Sequence, residues 1–136
     1  MQLFNTVTWP LAGWRTVACE AQAIIHGHDL TGASFFAEVR DRRDGGAVRA
    51  TLNTVTSASA QGIRLASVDN SAGYPISTIA LRINETTMEA IPPAISLGVE
   101  PGDNLDLEWG MHLTPSGGLK FMAFNGPFVV YPGVPQ

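Results

Sequence analysis

The sequence predicts an all-β protein, an antiparallel β-sandwich of about seven to nine strands with one short helix. Short segments alternate apolar and polar residues at the period of two that a half-buried strand requires. Turn-forming segments separate these strands roughly every 8–12 residues. The 136 residues include 14 glycines and 9 prolines, which suit a chain with many tight turns. With no repeat or internal linker, we expect a single domain spanning residues 1–136.

The first quarter of the chain contains two ambiguous segments and one turn-like segment. Residues 1–8 alternate weakly, as an edge strand or as an arm that reaches a neighbour. Residues 9–14 (WPLAGW) are predicted to form a turn, because Pro10 excludes a central strand. Residues 15–25 favour a helix by propensity but a strand by pattern. We favour the strand, whose two faces are Val17, Cys19, Ala21, Ala23 and Ile25 on one side and Thr16, Glu20 and Gln22 on the other.

A hairpin follows the segment Asp29-Leu30-Thr31-Gly32. Asp29 can accept a hydrogen bond from the backbone two residues on, and Gly32 can adopt a positive φ. The strand that comes next divides into two faces, with Phe35, Ala37 and Val39 on one and Ser34, Glu38 and Arg40 on the other. Phe36 interrupts the polar face, which predicts that this face is partly covered. A polar turn at 41–46 leads to the returning strand, 47–55.

The second half continues the alternation around one helix. A short strand is expected at 63–67, and Pro75 is expected to open another, with Ile79, Leu81 and Ile83 facing the core. Asn84 can cap a helix over 84–91, in which Met88 and Ile91 form an apolar pair and which Pro92-Pro93 ends. The strand with the most regular alternation of apolar and polar residues, 105–113, is expected near the sheet centre. Its hairpin partner is 119–124, and 128–131 is a last strand or its continuation.

The sequence contains no recognisable catalytic motif, and we expect neither an enzyme nor a bound cofactor or metal. Phosphate-binding loops, a nucleophile elbow and a metalloprotease motif are all absent. His26, His28 and Asp29 could touch one metal ion, but solvated loop residues are the favoured interpretation. Asp106 and Glu108 share a strand face, which we interpret as solvated rather than catalytic. The single Cys19 is interpreted as a small buried residue.

Bulk composition limits the possible partners. The net charge of −4 and the scattered Lys and Arg argue against nucleic-acid binding. No apolar run approaches the length of a membrane span, so we expect no membrane insertion. The start MQLFN shows no basic leader before an apolar run, so we expect no secretory signal. Charged residues make up only 15% of the chain, which fits a surface that neighbours cover.

The order of motifs resembles the small immunoglobulin-like β-sandwich proteins of tailed bacteriophages, which occur in the baseplate or tail tip and hold receptor-binding proteins or fibres. The residues that carry the resemblance are Asp29, Leu30, Thr31, Gly32, Phe35, Val39 and Arg40, with Gly126, Phe128, Val129 and Val130 at the end. Residues 91–104 depart from the family pattern. The resemblance implies a non-enzymatic virion protein, assembled in the host cytoplasm, that joins neighbouring tail proteins or fibres in a symmetric multi-copy assembly.

We expect the partner contacts at the two ends of the chain, residues 1–14 and 126–136. The candidate contact residues are Phe4, Trp9, Trp14, Phe128 and Tyr131. For Trp9 and Trp14 the alternative is a plug at the end of the sandwich. The proline-containing tail 132–136 is expected to be extended, so that its removal weakens assembly and leaves the fold intact.

Two alternatives remain open at the level of the sequence. The first is a capsid decoration protein, which nothing in the sequence separates from a tail protein. The second is a carbohydrate-binding module, which would need exposed aromatic residues on one sheet face and calcium ligands from Asp103, Asn104 and Asp106. Trp109 lies on the apolar face of its strand, so that strand does not pair an exposed aromatic ring with its acidic residues.

Overall fold

The computed structural model describes residues 6–41, 46–91 and 104–131, and in them it confirms the all-β sandwich with one short helix. The elements in chain order are β1 (Val7–Thr8), β2 (Leu11–Trp14), β3 (Cys19–His26), β4 (Ser34–Arg40), β5 (Val48–Asn53), β6 (Gly62–Asp69), β7 (Ile76–Ile83), α1 (Glu85–Ala90), β8 (Leu105–Thr114) and β9 (Phe121–Tyr131). These strands form two sheets that pack face to face.

The larger sheet has the strand order β1-β9-β8-β4-β5, with β2 also paired to β9, and the smaller sheet has the order β3-β7-β6. Most pairs are antiparallel, as predicted, but β1 and β2 run parallel to β9. The two sheets are joined along one side, where the backbone N–H of Val55 donates to the carbonyl oxygen of Ile63 at 2.9 Å. The other side of the sandwich lies between β1 and β3.

Alternation within each strand determines which side chains enter the core between the sheets. In β4 the buried residues are Phe35, Ala37 and Val39, and in β7 they are Ile79, Leu81 and Ile83, as predicted. In β8 every odd-numbered residue from Leu105 to Leu113 is buried. Since β8 lies between β9 and β4, the prediction of a central position for this strand is confirmed.

The predicted hairpin is confirmed, with β4 and β5 antiparallel. Asp29 Oδ1 accepts a hydrogen bond from the backbone N–H of Thr31 at 2.9 Å, and Gly32 has φ of 79°. The same carboxylate accepts from the Thr31 hydroxyl at 2.6 Å, and these bonds hold the pKa of Asp29 below its usual value. The loop therefore fixes the direction in which β4 begins.

Two predictions for the N-terminal quarter are wrong. Residues 11–14 form a strand rather than a turn, because Leu11–Trp14 pair with Phe128–Tyr131 at the far end of the chain. Pro10 lies between β1 and β2, at the sheet edge where its missing N–H breaks no ladder. The strand predicted over 15–25 begins only at Cys19, because the chain first turns and Val17 N–H donates to Trp14 O. Val17 is consequently half exposed instead of buried.

The short helix forms where it was predicted, but its cap differs from the prediction. Asn84 occupies the N-cap position, and its backbone oxygen accepts from Met88 N–H at 3.0 Å. Its side chain makes no capping bond, since Oδ1 accepts instead from Arg82 Nε at 2.9 Å. Met88 and Ile91 are both buried, as expected. The predicted stop at Pro92-Pro93 lies outside the described residues.

Two strands are longer in the structure than the sequence predicts. The strand expected at 63–67 runs from Gly62 to Asp69, with an irregularity in its pairing between Leu65 and Ser67. The two segments expected at 119–124 and 128–131 form one continuous strand, β9, of 11 residues. This continuity lets β9 pair with β8 on one side and with both β1 and β2 on the other.

Candidate interaction surfaces

The five predicted contact residues have different positions in the fold. Phe4 and the tail 132–136 lie outside the described residues. Phe128 is fully buried in the core, so its prediction as a contact residue is wrong. Phe128 belongs to the buried face of β9, an assignment that the apolar run FVVY left ambiguous because no polar residue marks its faces.

Trp9 is a plug at the end of the sandwich, the alternative that the sequence left open. Its ring lies edge to face against Trp109 at 5.5 Å and against Phe124 at 5.2 Å. Its backbone N–H donates to the carbonyl oxygen of Asn125 at 2.8 Å. These contacts pack the partly buried Trp9 against the core.

Trp14 and Tyr131 lie together on the outer face of the larger sheet. Their ring centroids are 5.0 Å apart, because β2 and β9 pair in register at these two residues. Trp14 is 45% exposed, so this aromatic pair remains a candidate contact surface. The sequence predicted both residues, but only the parallel pairing of β2 with β9 brings them together.

The residues considered for metal binding or thiol chemistry form no reactive site in the described structure. No group of three or more His, Cys, Asp or Glu residues among those described is placed to hold a metal ion. Cys19 is buried, and burial followed by the nearby charge of Glu20 raises the pKa of its thiol to about 11. In the described ranges, no helix has the length and apolarity needed to cross a membrane.

An apolar groove opens on the side of the sandwich between β1 and β3. Its volume is about 240 Å³. The residues that line it include Val7, Ala23, Ile24, Ile25, Phe121 and Phe124. At the rim of the groove, Ile24 is 61% exposed and Val7 is 52% exposed.

The edge of β3 beside this groove lacks the features that normally protect an edge strand. It is eight residues long, pairs with β7 without a register shift and contains no proline, lysine or arginine. In the described part of the chain only β7 pairs with it. Its carboxylate, Glu20, and its histidine, His26, stand at its two ends.

The edge strands β1, β5 and β6 carry such protection. β1 has only two residues and is followed by Pro10. β6 contains a register irregularity, and Ile63 near its start is bridged to Thr54. On β5, Arg49 is paired with Asp41, the two side chains meeting at 2.6 Å. Of these four strand edges, that of β3 is the most open to pairing with another chain.

A second concave surface, the Gly110 hollow, lies on the outer face of the larger sheet. Its volume is about 170 Å³. Its side chains come from three adjacent strands, with Phe36, Glu38 and Arg40 on β4, Glu108 and His112 on β8, and Met122 and Asn125 on β9. Phe36 lies directly opposite His112 in the β4–β8 ladder. Phe36 is 38% exposed, which agrees with the prediction that this face is partly covered.

Comparison of the sequence with protein-family models and with curated proteins found no match. The fold and the surfaces described above are therefore the basis for any functional conclusion.

Sequence reasoning missed both concave surfaces, although each has a signal in the sequence. Ile24 interrupts the otherwise polar outer face of β3, as Phe36 interrupts that of β4. Gly110 is a glycine in the middle of the longest alternating pattern, where a side chain would be expected. What the sequence could not show is that β1 lies beside β3, and that Met122 lies beside Gly110.

Proposed function

We propose that the protein is a structural subunit of a tailed-bacteriophage particle, a baseplate or tail-tip component that joins neighbouring proteins by protein–protein contacts. The placement in a bacteriophage tail, and the immunoglobulin-like kinship, rest on the resemblance of the Asp29–Arg40 and Gly126–Val130 motifs. A capsid decoration protein is the alternative of the same kind. The structural role itself is supported by one observation, the unprotected edge of β3 beside an apolar groove.

The occupant that we assign to this edge is a second copy of the chain. An exposed strand edge binds another strand through its free backbone groups, and an adjoining groove receives the apolar side chains. In an antiparallel pair centred on Ala23, the two three-stranded sheets would join into one continuous sheet. Ile24 of each copy would then lie directly beside Gln22 of the other, on the outer face of the joined sheet.

The polar side chains at the ends of β3 fit this antiparallel register. With Ala23 opposite its own copy, Glu20 of one copy lies opposite His26 of the second copy, at both ends of the pair. The Glu20 carboxylate can accept a hydrogen bond from an imidazole N–H directly across the strand pair, whereas a parallel pairing in register would place each residue beside its own copy. The Glu20 side chain is 62% exposed and already forms an ion pair with Arg82, so the carboxylate is available at the surface.

The experiment is a measurement of molar mass by light scattering across protein concentrations from roughly 1 µM to 1 mM, the range over which a weak symmetric contact forms. We expect a dimer or a larger multiple that Ile24→Lys converts to a monomer. The matched control is Val48→Lys, an exposed aliphatic residue on the edge strand β5, which should leave the association unchanged.

A chain that stays monomeric throughout this range would overturn the proposed edge contact, as would an oligomer that Ile24→Lys leaves intact. The bacteriophage context is tested separately by the reading frames beside the gene. Neighbouring tail, capsid or terminase genes would support it, and neighbouring genes of metabolism alone would contradict it.

A further inference from the structure

Gly110 occupies the centre of β8, where neither its backbone nor its packing requires a glycine. Gly110 is not one of the described glycines that have a positive φ. A Cβ added there would meet its nearest atoms, Met122 Sδ and Cε, at 3.4 and 3.5 Å, which is ordinary van der Waals contact. Glycine is unfavourable inside a strand because it adds backbone entropy to the unfolded chain and packs no side chain. Such a residue often marks a β-bulge or a place where a ligand approaches the backbone, and the β8–β9 register shifts one residue further on, between Met111 and His112.

The space that a side chain at position 110 would fill is the floor of the Gly110 hollow. Alternation along β8 points position 110 outward, between the buried residues Trp109 and Met111. Phe36 and Met122 provide apolar walls on the two sides, from β4 and β9. The hollow is therefore an apolar depression on an otherwise polar sheet face, with the peptide backbone of Gly110 exposed at its base.

The rim of the hollow carries both hydrogen-bond donors and acceptors. Glu38 and Glu108 contribute carboxylate oxygens, Arg40 contributes N–H groups, and Asn125 and His112 can each do both. Arg40 is held in place, because its Nη2 donates to Glu38 Oε1 at 2.8 Å and its Nη1 donates to the carbonyl oxygen of Gly46 at 3.1 Å. The rim is thus partly fixed before any ligand arrives.

From this arrangement we infer that the Gly110 hollow binds one ring of a neutral sugar. A sugar ring has an apolar C–H face that packs on Phe36, and hydroxyl groups that donate to carboxylates and accept from Arg40 and Asn125. A cationic ligand would require acceptors alone, and a phosphate would require donors alone, whereas the rim mixes the two. The volume of about 170 Å³ limits the site to a single ring, with further units of a glycan extending over the sheet. This inference is independent of the edge of β3, which lies on the other sheet.

The test is a two-dimensional amide NMR titration of the full chain. The probes are methyl α-glucoside, methyl β-galactoside and N-acetylglucosamine, each raised to roughly 50 mM because a shallow single-ring site binds in the millimolar range. N-acetylarginine amide and inorganic phosphate serve as the cationic and anionic comparators. We expect at least one sugar to shift the amide signals of Phe36, Gly110 and Met122 in a saturable way, while neither comparator does.

Two variants make the result specific to the hollow. Gly110→Val fills the floor and should weaken sugar binding by at least about tenfold, and its valine suits a strand, so the fold is retained. Phe36→Ala removes the stacking face and should have a similar effect. The control, Ser67→Val, makes a comparable change on the exposed face of β6 and should leave binding unchanged.

The inference would be overturned by the absence of saturable sugar shifts at the hollow, or by shifts that persist in Gly110→Val. Saturable shifts with N-acetylarginine amide but with no sugar would identify the hollow as a site for a cationic side chain of a partner protein, and would equally overturn it.

Discussion

The indole Nε1–H of Trp109 donates a hydrogen bond to the backbone carbonyl oxygen of Trp9 at 2.8 Å, and the two rings meet edge to face at an interplanar angle of 74°. This contact joins the edge of the larger sheet to its central strand. It also satisfies the polar atom of a buried tryptophan, which would otherwise be costly to remove from water. Trp9 is therefore predicted to contribute to the stability of the folded protein.

Replacement of Trp9 by alanine should lower the free energy of unfolding by about 3 kcal/mol, because it opens a cavity beside Trp109 and Phe124. Trp14→Ala is the matched control, since that ring is 45% exposed and lies against the ring of Tyr131 on the sheet surface. It should cost about 1 kcal/mol or less. Urea denaturation followed by far-UV circular dichroism measures both. Equal losses in the two variants would contradict the assignment of Trp9 to the core.

Gly62 lies where the two sheets approach each other, and a side chain there has no space. A Cβ at this position would lie 2.4 Å from the backbone oxygen of Asn53. Gly62→Ala should therefore destabilise the protein by about 2–3 kcal/mol, since the β5–β6 junction must shift. Gly117→Ala is the control, because its φ of 73° is strained for alanine but nothing lies within 4 Å, and it should cost about 1 kcal/mol. Thermal unfolding that ranks the two in the reverse order would contradict this account.

Ser77 is the buried polar residue that ties the His28–Leu30 loop to β7. Its hydroxyl donates to the carbonyl oxygen of His28 at 2.6 Å and accepts from the N–H of Leu30 at 3.1 Å. Ser77→Ala would leave two backbone groups without this partner and should lower the free energy of unfolding by about 2 kcal/mol. The exposed Ser67, changed to alanine in the same way, should have little effect. Hydrogen exchange of the Leu30 amide should accelerate in Ser77→Ala and remain unchanged in Ser67→Ala.

Cys19 should be unreactive in the folded protein. Burial raises the pKa of its thiol from 9.0 to about 11, so at pH 8 the thiolate fraction is about a hundredfold smaller than in the unfolded chain. Iodoacetamide labelling followed by mass spectrometry should be slow in buffer and rapid in concentrated urea. Rapid labelling of the folded chain would contradict the burial of this residue.

The same raised pKa gives a pH dependence whose sign is fixed. Because the folded state favours the neutral thiol, this contribution to stability is complete below pH 9.0 and is lost as the pH rises towards about 11. Cys19→Ser, which does not titrate in this range, should lose less stability between these two pH values than the unchanged chain. Denaturation midpoints measured at pH 8 and at pH 10.5 provide the comparison.

Local patterns predicted the elements that depend on neighbours in the chain. The Asp29–Thr31 bond, the positive φ of Gly32 and the alternation of Phe35, Ala37 and Val39 each involve residues only a few positions apart. The helix at Glu85–Ala90 was also predictable from its apolar pair. The hydrogen bond of the Asn84 side chain was not predictable from the sequence. Asn84 Oδ1 accepts from Arg82 rather than capping the helix, because β7 places the guanidinium beside it.

The misplaced elements all depend on pairing between distant parts of the chain. Leu11–Trp14 has turn-like residues and becomes a strand only because β9 offers it a parallel partner. Val17 is exposed because the chain turns after β2. The groove beside Ile24 and the hollow over Gly110 each combine residues from both ends of the sequence, and no local pattern places such residues side by side.

The amino-acid order by itself determined that this protein is a two-sheet β-sandwich with one short helix, because the period-two alternation and the turn chemistry are properties of neighbouring residues. The tertiary structure alone decided which faces and edges remain open. The exposure of Ile24, the burial of Phe128 and the open floor at Gly110 are set by which strands pair, and strand pairing is governed by the packing of residues far apart in the chain.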